Sequence, residues 1–418
     1  MLLSGALLLV LALAGVPLFV IIAAGAMLGY LREQIDLSVL GIEFFGLSET
    51  PVLVAIPLFT FAGFLLSEGQ APRRLVRLSQ ALLGWLPGGL AMISLATCAL
   101  FTAFTGASGV TIIALGALLV PALAEAGYES RFNLGLVTTS GSLGLLFAPS
   151  LPLILYGVVA QASIDDLFRA GLLPGILMVV ALCAYSYWQN RHLKASSGHT
   201  SAGDVLGAIA DAKWELPLPI VVLGGIYSGY FAVSEAAAVT ALYVLVVEVV
   251  VLREIRWREL PRIVREAMVL VGAILVILGT SLASTNYLID MQVPQKLFEM
   301  ISHFVAGPKT FLLALLAFLL VLGALLDIFS AIVLVVPLIL PVASGYGIHP
   351  IHLGIVFLAA MELGYLTPPV GLNLFISSSR FNKDIMEVCL ATVPFLLVLF
   401  VSVVVITYWP ALSLALLE

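Results

Sequence analysis

Apolar residues run along this chain in stretches of bilayer length, not in the short alternations of a soluble sheet. They cover about 1–31, 51–67, 87–104, 109–125, 134–160, 168–188, 216–231, 233–252, 268–288, 309–326, 328–345, 351–379 and 391–417. A helix needs roughly 20 such residues to cross the hydrocarbon. The pattern therefore predicts an all-α polytopic chain with about ten crossing or re-entrant elements. Three breaks are basic: Arg73, Arg74 and Arg77; Arg191, Lys194 and Lys213; and Arg253, Arg256, Arg258, Arg262 and Arg265. Lys and Arg favour the cytoplasmic side, which places these loops inside. The break after the first stretch holds Glu33, Asp36, Glu43 and Glu49 with only Arg32, and is expected outside. No charge precedes Arg32. A secretory signal would carry a basic start and a shorter apolar core, so 1–31 reads as a retained span, tilted or bent at Pro17.

Composition sharpens this picture. Of 418 residues, 62% are hydrophobic and 10% charged, with a mean hydropathy of +1.17 and a net charge of −6. A soluble domain is about 45–50% apolar and about 25% charged. That difference excludes a soluble enzyme, a nucleic-acid binder and a disordered scaffold, and makes the lipid bilayer the first partner. Cys98, Cys183 and Cys389 sit inside apolar runs and read as small buried hydrophobes, not a disulfide framework.

The chain also repeats. Val120-Pro121 matches Leu340-Pro341 at a displacement of 220 residues. At that displacement Gly127 meets Gly347, Leu143-Gly144 meets Leu363-Gly364, Pro149 meets Pro369 and Pro174 meets Pro394. Glycine and proline constrain backbone geometry, so their coincidence says more than matching leucines would. Five apolar spans separate corresponding parts of the halves, and an odd number of crossings inverts the second half relative to the first. Inverted repeats recur in secondary transporters.

Each half breaks its helical pattern twice. In the first half the breaks are Thr105-Gly106-Ala107-Ser108-Gly109, flanked by Thr102 and Thr111, and Thr138 to Gly144 leading into Ala148-Pro149-Ser150-Leu151-Pro152. In the second they are Gly323 to Ser330 and Glu362 to Asn373, the latter containing Thr367-Pro368-Pro369-Val370-Gly371. Proline removes a donor and disfavours helix in the residue before it, so these segments should unwind at membrane depth. Unwound backbone there is tolerated only where protein buries it or a cavity is lined by it. Its carbonyls and hydroxyls can replace the hydration shell of Na+, and a half-helix N-terminus favours an anion. Asp327 and Glu362 lie at membrane depth, where an acid marks a pathway or a partner. Glu248 reads as a pair at the inner end of its span, Glu235 as a helix cap, and His349 and His352 as loop residues. No phosphate-binding loop, HExxH motif or nucleophile elbow occurs, so neither ATP drive nor catalysis has support in the sequence.

The motifs Ala107-Ser108-Gly109, Leu143-Gly144 with Pro149-Ser150 and Tyr156-Gly157, Ala170-Gly171-Leu172-Leu173-Pro174-Gly175, Glu235-Ala236-Ala237-Ala238-Val239 and Thr367 to Phe375 span essentially the whole chain. In them the sequence resembles the large membrane subunit of tripartite ATP-independent periplasmic (TRAP) transporters. The resemblance implies a bacterial inner-membrane secondary importer, and the placement of the basic loops puts the N-terminus in the cytoplasm and the C-terminus in the periplasm. Its expected partners are a small membrane subunit of about four spans, on a separate chain, and a periplasmic substrate-binding protein. Uptake of a small organic anion such as a carboxylate or sugar acid would be coupled to Na+, the only cofactor expected. The fold implied is an elevator-type carrier of the ion-transporter-superfamily kind, in which each inverted repeat has a re-entrant hairpin and a broken helix. Residues 1–86 would be N-terminal scaffold spans and an arm, 87–188 the first repeat, 189–308 a cytoplasmic loop and scaffold spans, and 309–418 the second repeat. Hairpins would cover 87–125 and 309–345, broken helices 134–160 and 351–379, and closing spans 168–188 and 391–417.

By the same resemblance, one Na+ site would use Gly106 and Ser108 with Gly144 and Pro149. A second would use Gly323 with Gly364, Thr367 and Pro369. Thr105, Ser140, Ser142, Asp327 and Asn373 would contact the substrate. Two departures stand out: Val110 follows Ser108-Gly109 where relatives often carry a second serine, and Ala148-Pro149 replaces the usual Pro-Pro. No Arg occurs between 266 and 379 to clamp a carboxylate, and the only Lys there are Lys296 and Lys309. The alternatives are a stand-alone elevator-type anion/Na+ symporter without a binding protein, and a membrane enzyme or channel using Asp327 and Glu362.

Overall fold

The computed structural model describes residues 8, 10–11, 14–83, 88–192, 202–305 and 307–417. The start of the first apolar stretch, residues 84–87 at the first expected domain boundary and Lys194 lie outside the described residues. The described residues form helices and turns, with no strand among them. In chain order the helices are α1 (Leu18–Arg32), α2 (Ser38–Ser48), α3 (Ala55–Glu68), α4 (Ala71–Leu83), α5 (Gly89–Thr105), α6 (Ser108–Ala114) and α7 (Gly116–Glu125). Then come α8 (Ser130–Ser140), α9 (Leu151–Ala160), α10 (Ile164–Asn190), α11 (Ala202–Asp211), α12 (Pro217–Tyr227), α13 (Val233–Leu245) and α14 (Leu260–Asp290). The last are α15 (Val293–Ser302), α16 (Pro308–Leu325), α17 (Ile328–Gly345), α18 (Pro350–Gly364), α19 (Leu372–Phe381), α20 (Ile385–Tyr408) and α21 (Ala411–Leu414).

Among the described residues, seven helical runs are long and apolar enough to cross a bilayer, and two bent pairs raise the number to nine. The bent pairs are α6 with α7, at 47°, and 130–146 with α9, at 42°. The second bend falls inside 134–160, which the sequence expects to be a broken helix, and the first inside 109–125, which it reads as one unbroken arm of a hairpin.

The elements themselves recur at 220 residues. The pair α6–α7 ends at 108 and 125, and α17 at 328 and 345. Helices α5, α8, α9 and α10 find counterparts in α16, α18, α19 and α20, with starts displaced by 220 to within two residues. Pro121 and Pro341 both lie inside helices, as do Pro174 and Pro394. Gly127 and Gly347 both take the left-handed backbone, at φ of +85° and +74°. The peptides preceding Pro149 and Pro369 are both cis.

Four helices fall in segments the sequence reads as breaks: α2, α4, α11 and α15. None offers a bilayer-length apolar run, so a search for such runs passes over them. Helix α4 alternates Arg73, Arg74 and Arg77 with Leu75, Val76 and Leu78, and with α11 it buries a small core of Leu78, Ala81, Ala208 and Ala212. Helix α14 begins at Leu260, ahead of the expected 268, so Arg262, Arg265 and Glu266 are helical. There Arg262 pairs with Glu68 at 2.5 Å and with Glu266 at 3.1 Å. His349 keeps the loop position expected of it, whereas His352 lies inside α18. His349 caps α18 by accepting from Ile351 N at 3.2 Å, while His352 is buried, within hydrogen-bond reach of Ser413 Oγ and the Thr407 carbonyl. A polar ring so buried survives because both its nitrogens meet partners. Glu235 does cap α13, its carboxylate accepting from Ala232 N at 3.0 Å.

Small residues let the halves of each repeat touch backbone to backbone. A Cβ on Gly144 would lie 2.2 Å from Ala99 O and 2.5 Å from Ala103 N. At the equivalent crossing, a Cβ on Gly364 would lie 2.4 Å from the Gly323 Cα. Backbone cannot give way as a flexible side chain can. Gly364→Ala should therefore cost about 1–3 kcal/mol, seen as a lower thermal midpoint of the purified protein. The control Gly207→Ala, with nothing within 4 Å of the added methyl, should leave the midpoint in place or raise it. An unchanged midpoint for Gly364→Ala would show that the crossing admits a side chain.

Candidate functional site

The four breaks are built from local turn chemistry. Helix α5 stops at Thr105 because Gly106 adopts the left-handed region at φ +64°, where its N–H donates to Thr102 O at 2.8 Å. Ala107 is extended, and α6 restarts at Ser108. Helix α16 stops at Leu325, Leu326 is extended, and Asp327 starts α17. The loop after α18 turns onto this second tip, with the N–H groups of Val370 and Gly371 donating to Ala324 O at 3.2 and 3.4 Å.

A cavity of about 500 Å³ opens where these breaks meet. One side is the first tip, Gly106 to Val110, and the second, Asp327 to Phe329, with Leu145, Tyr365, Leu372 and Ile376 from the broken helices. The other is Phe64 at the end of α3 and Leu270, Ala273, Ile274 and Ile277 of α14. Its size suits a small ligand, for which sites run to about 300–1,000 Å³. Its wall is mostly apolar. Among the described residues that line it, Asp327 is the single charged one and none is Lys, Arg or His.

Asp327 is held firmly. Its Oδ1 accepts from the N–H groups of Phe329 and Ser330, each at 3.0 Å, and its Oδ2 from Ser330 Oγ at 2.5 Å. It is thus the N-cap of α17, and its charge offsets the positive end of that helix. Behind it, the Tyr365 hydroxyl accepts from Ile328 N at 2.8 Å. The equivalent residue of the first tip, 220 positions earlier, is Ala107, which cannot cap. The first N–H groups of α6 therefore have neither helical acceptor nor side-chain cap.

The expected site residues divide into two sets. Gly106, Ser108 and Asp327 are brought together on the cavity wall, with Thr105 buried directly behind Gly106. Ser140, Ser142 and Asn373 are fully buried and do not line it. Ser140 Oγ donates to Val137 O at 3.2 Å and Ser142 Oγ to Thr139 O at 3.4 Å. Asn373 spans the two broken helices, its amide donating to Thr138 O at 3.4 Å, and Thr138 Oγ1 donates to Ser377 Oγ at 2.9 Å. Gly144, Gly323 and Gly364 sit at the backbone crossings. Thr367 Oγ1 donates back to Leu363 O at 2.9 Å, beside the turn carrying Pro369. Several buried oxygens of this region meet no donor: Asn373 Oδ1, Thr139 Oγ1, Ser150 Oγ and both oxygens of Glu362. Two further members were not among the expected ligand contacts. Thr102 joins the first tip to its broken helix, sharing a hydrogen bond with Thr111 at 2.7 Å and donating to Gly141 O at 3.0 Å. Tyr365 supports the second tip, and its only sequence signal is a hydroxyl inside a helix break.

The whole helical arrangement has relatives. The fold is similar to that of the crystal structure of the Alcanivorax borkumensis YdaH transporter, with a TM-score of 0.60 at 13% identity, over 91% of this chain and 89% of that one. By sequence the chain is 35% identical over 378 residues to the C4-dicarboxylate TRAP transporter large permease protein DctM of Pseudomonas aeruginosa, covering 90% of this chain and 88% of that protein. It is 30% identical over 417 residues to the ectoine/5-hydroxyectoine TRAP transporter large permease protein UehC of Ruegeria pomeroyi, covering 97% and 96%. With the isethionate TRAP transporter permease protein DctMQ of Oleidesulfovibrio alaskensis it shares 34% over 375 residues, 89% of this chain but 59% of that longer protein. Residues 5–412 match the profile of the DctM component of tripartite ATP-independent periplasmic transporters, and the chain belongs to that family of membrane permeases.

Proposed function

We propose that this permease imports a small organic anion across the bacterial inner membrane by Na+ symport, receiving it from a periplasmic binding protein and working beside a small membrane subunit. The observation that carries the reading is the cavity at which both hairpin tips and both broken helices face α3 and α14. A site divided between two sets of helices changes its access when one set slides past the other, which is the elevator movement. On this reading the basic breaks face the cytoplasm, the N-terminus lies with them and the C-terminus is periplasmic.

The charges suit this assignment. An anion finds no cationic side chain in the cavity, but it finds the uncapped N–H groups at the start of α6, where the dipole is positive. Asp327 leaves the opposite tip without a net positive end, which orients an asymmetric substrate. Na+ takes the oxygens that unwound segments free: carbonyls around Gly106 and Gly144 with Ser108 Oγ at one tip, and carbonyls around Gly323, Gly364 and Thr367 at the other. Relatives are named for C4-dicarboxylates, isethionate, ectoines and 2,3-diketo-L-gulonate. A small carboxylate or sugar acid fits both the cavity and most of those names.

In proteoliposomes holding this chain with its small subunit, uptake of a labelled C4-dicarboxylate or sugar acid should require an inward Na+ gradient and the loaded binding protein. Transport by the chain alone would identify a stand-alone carrier, and transport indifferent to Na+ would remove the coupling ion. Ser108→Ala should raise the Na+ concentration for half-maximal uptake about tenfold, equivalent to about 1.4 kcal/mol. Asp327→Asn should lose about nine-tenths of uptake, yet its unfolding midpoint should stay within about 0.5 kcal/mol of wild type, because asparagine also caps helices well. Wild-type uptake by that variant would take Asp327 out of the mechanism.

A further inference from the structure

We propose that Glu248, Glu254, Glu215 and Arg74 form a proton-binding site at the basic-loop end of the helices, in which Glu248 is a carboxylic acid donating its O–H to Glu254. The site is remote from the transport cavity in composition, sharing no lining residue with it. It is assembled from four parts of the chain. Arg74 comes from the first turn of α4, Glu215 from the turn before α12, and Glu254 from the loop before α14. Glu248 comes from a π-helical turn, Val246–Val251, that continues α13.

Arg74 donates to Glu215 at 2.6 Å through Nε and to Glu254 through Nη1, while the nearest Glu248 oxygen lies 3.6 Å from Nη2. Glu254 also accepts from Gln70 N at 2.6 Å. Burial alone would raise the Glu254 carboxyl, but these donors outweigh it and hold it below the usual range, so Glu254 is the ionised member. Glu248 is 1% exposed, and neither of its oxygens meets a donor. Three carboxylates around one guanidinium would leave two uncompensated negative charges out of water, an arrangement that costs several kcal/mol or more. One proton on Glu248 removes a charge, supplies the missing donor and satisfies the facing carboxylate in the same step: an O–H bond forms on Glu248 and nothing else changes. A metal ion is the other way to neutralise such a cluster, but no group of acids with metal-holding geometry occurs among the described residues.

The surroundings fit a retained proton. A Cβ on Gly69 would lie 2.3 Å from Glu248 Oε2, so the end of α3 offers the carboxyl only glycine backbone. Glu68 beside it is engaged with Arg262. The Glu248 carbonyl accepts from Glu254 N at 2.9 Å, which ties the two acids together through the π-turn, a feature often found at functional sites. A cavity of about 20 Å³ adjoins Glu215, room for roughly one water. Its other lining residues include Leu66, Leu75 and the hairpin residues Leu100 and Phe104, so the cluster lies beside the first hairpin. Proton occupancy thereby decides how firmly α4 is held against the turn before α12 and the π-turn that continues α13.

The test is thermal unfolding of the purified full chain between about pH 6 and about pH 9, with infrared spectra at the lower end. The folded site binds its proton more tightly than the unfolded chain, so its stabilisation is complete at low pH and is lost as pH rises. The wild-type midpoint should fall by about 2 °C per pH unit between the unfolded carboxyl value, about 4.3, and the pH at which Glu248 ionises in the folded site, and should level off above it. Glu248→Gln, a neutral isostere of the acid, should keep the low-pH midpoint throughout and lack one protonated-carboxyl C=O band seen in wild type at about pH 6. Glu215→Gln, with one negative charge fewer, should show a smaller fall. Identical pH dependence in wild type and Glu248→Gln, or an acid band unchanged in that variant, would overturn the proposal. So would a midpoint that follows added Na+ at fixed pH in place of pH itself.

Discussion

Hydrocarbon offers no hydrogen bonds, and that single property organises this molecule. Every backbone N–H and C=O at membrane depth must find a partner inside the protein, so helices run unbroken wherever lipid surrounds them. The chain interrupts its helices at 106–107, 141–150, 326–327 and 365–371, and all four interruptions gather around one cavity or pack directly behind it. The freed groups are then either bonded across the breaks, as Val370 and Gly371 are to Ala324, or presented to whatever occupies the cavity. Concentrating the irregular backbone in one place makes the surrounding helices stable and gives the site its oxygens and its N–H groups.

Duplication supplies the breaks in pairs but leaves the pairs chemically unequal. Position 107 is alanine where position 327 is aspartate. The same fold element is therefore an open helix start on one side of the cavity and a capped, charge-balanced one on the other. Polarity of the site across the pseudo-symmetry thus rests on the few tip residues that differ, Ala107, Ser108 and Val110 against Asp327, Ile328 and Ser330. The wall from α3 and α14 adds only apolar side chains among the described residues, so it offers a bound ligand no hydrogen bond.

Much of this was legible in the residues alone. The glycine and proline coincidences at 220 residues located both repeats, because such residues mark geometry that copied elements must share, and the helix ends at 105, 108, 325 and 328 fall where Gly106 and Asp327 predict them. What the sequence hid depends on side-chain direction. Ser140, Ser142 and Asn373 lie at the breaks in sequence, yet their side chains turn into the protein, and Tyr365 turns towards the tip, a choice that helical phase beyond a break decides. The four surface helices escaped because segments of 10–13 residues leave no bilayer-length signal. His352 looked like part of a loop until α18 and the C-terminal residues closed over it.

The contact between Gly323 and Gly364 has a mechanical consequence. Two helices that meet through side chains can slip by exchanging rotamers, whereas two that meet through bare backbone have nothing to exchange. The crossing is a weld in place of a bearing, and Gly144 against Ala99 and Ala103 makes a matching one. Each hairpin and its broken helix therefore form a single rigid piece near the cavity, and bending is left to the connections at the far ends. There Gly127 and Gly347 already hold the left-handed backbone, and nothing lies within 4 Å of a Cβ at Gly347.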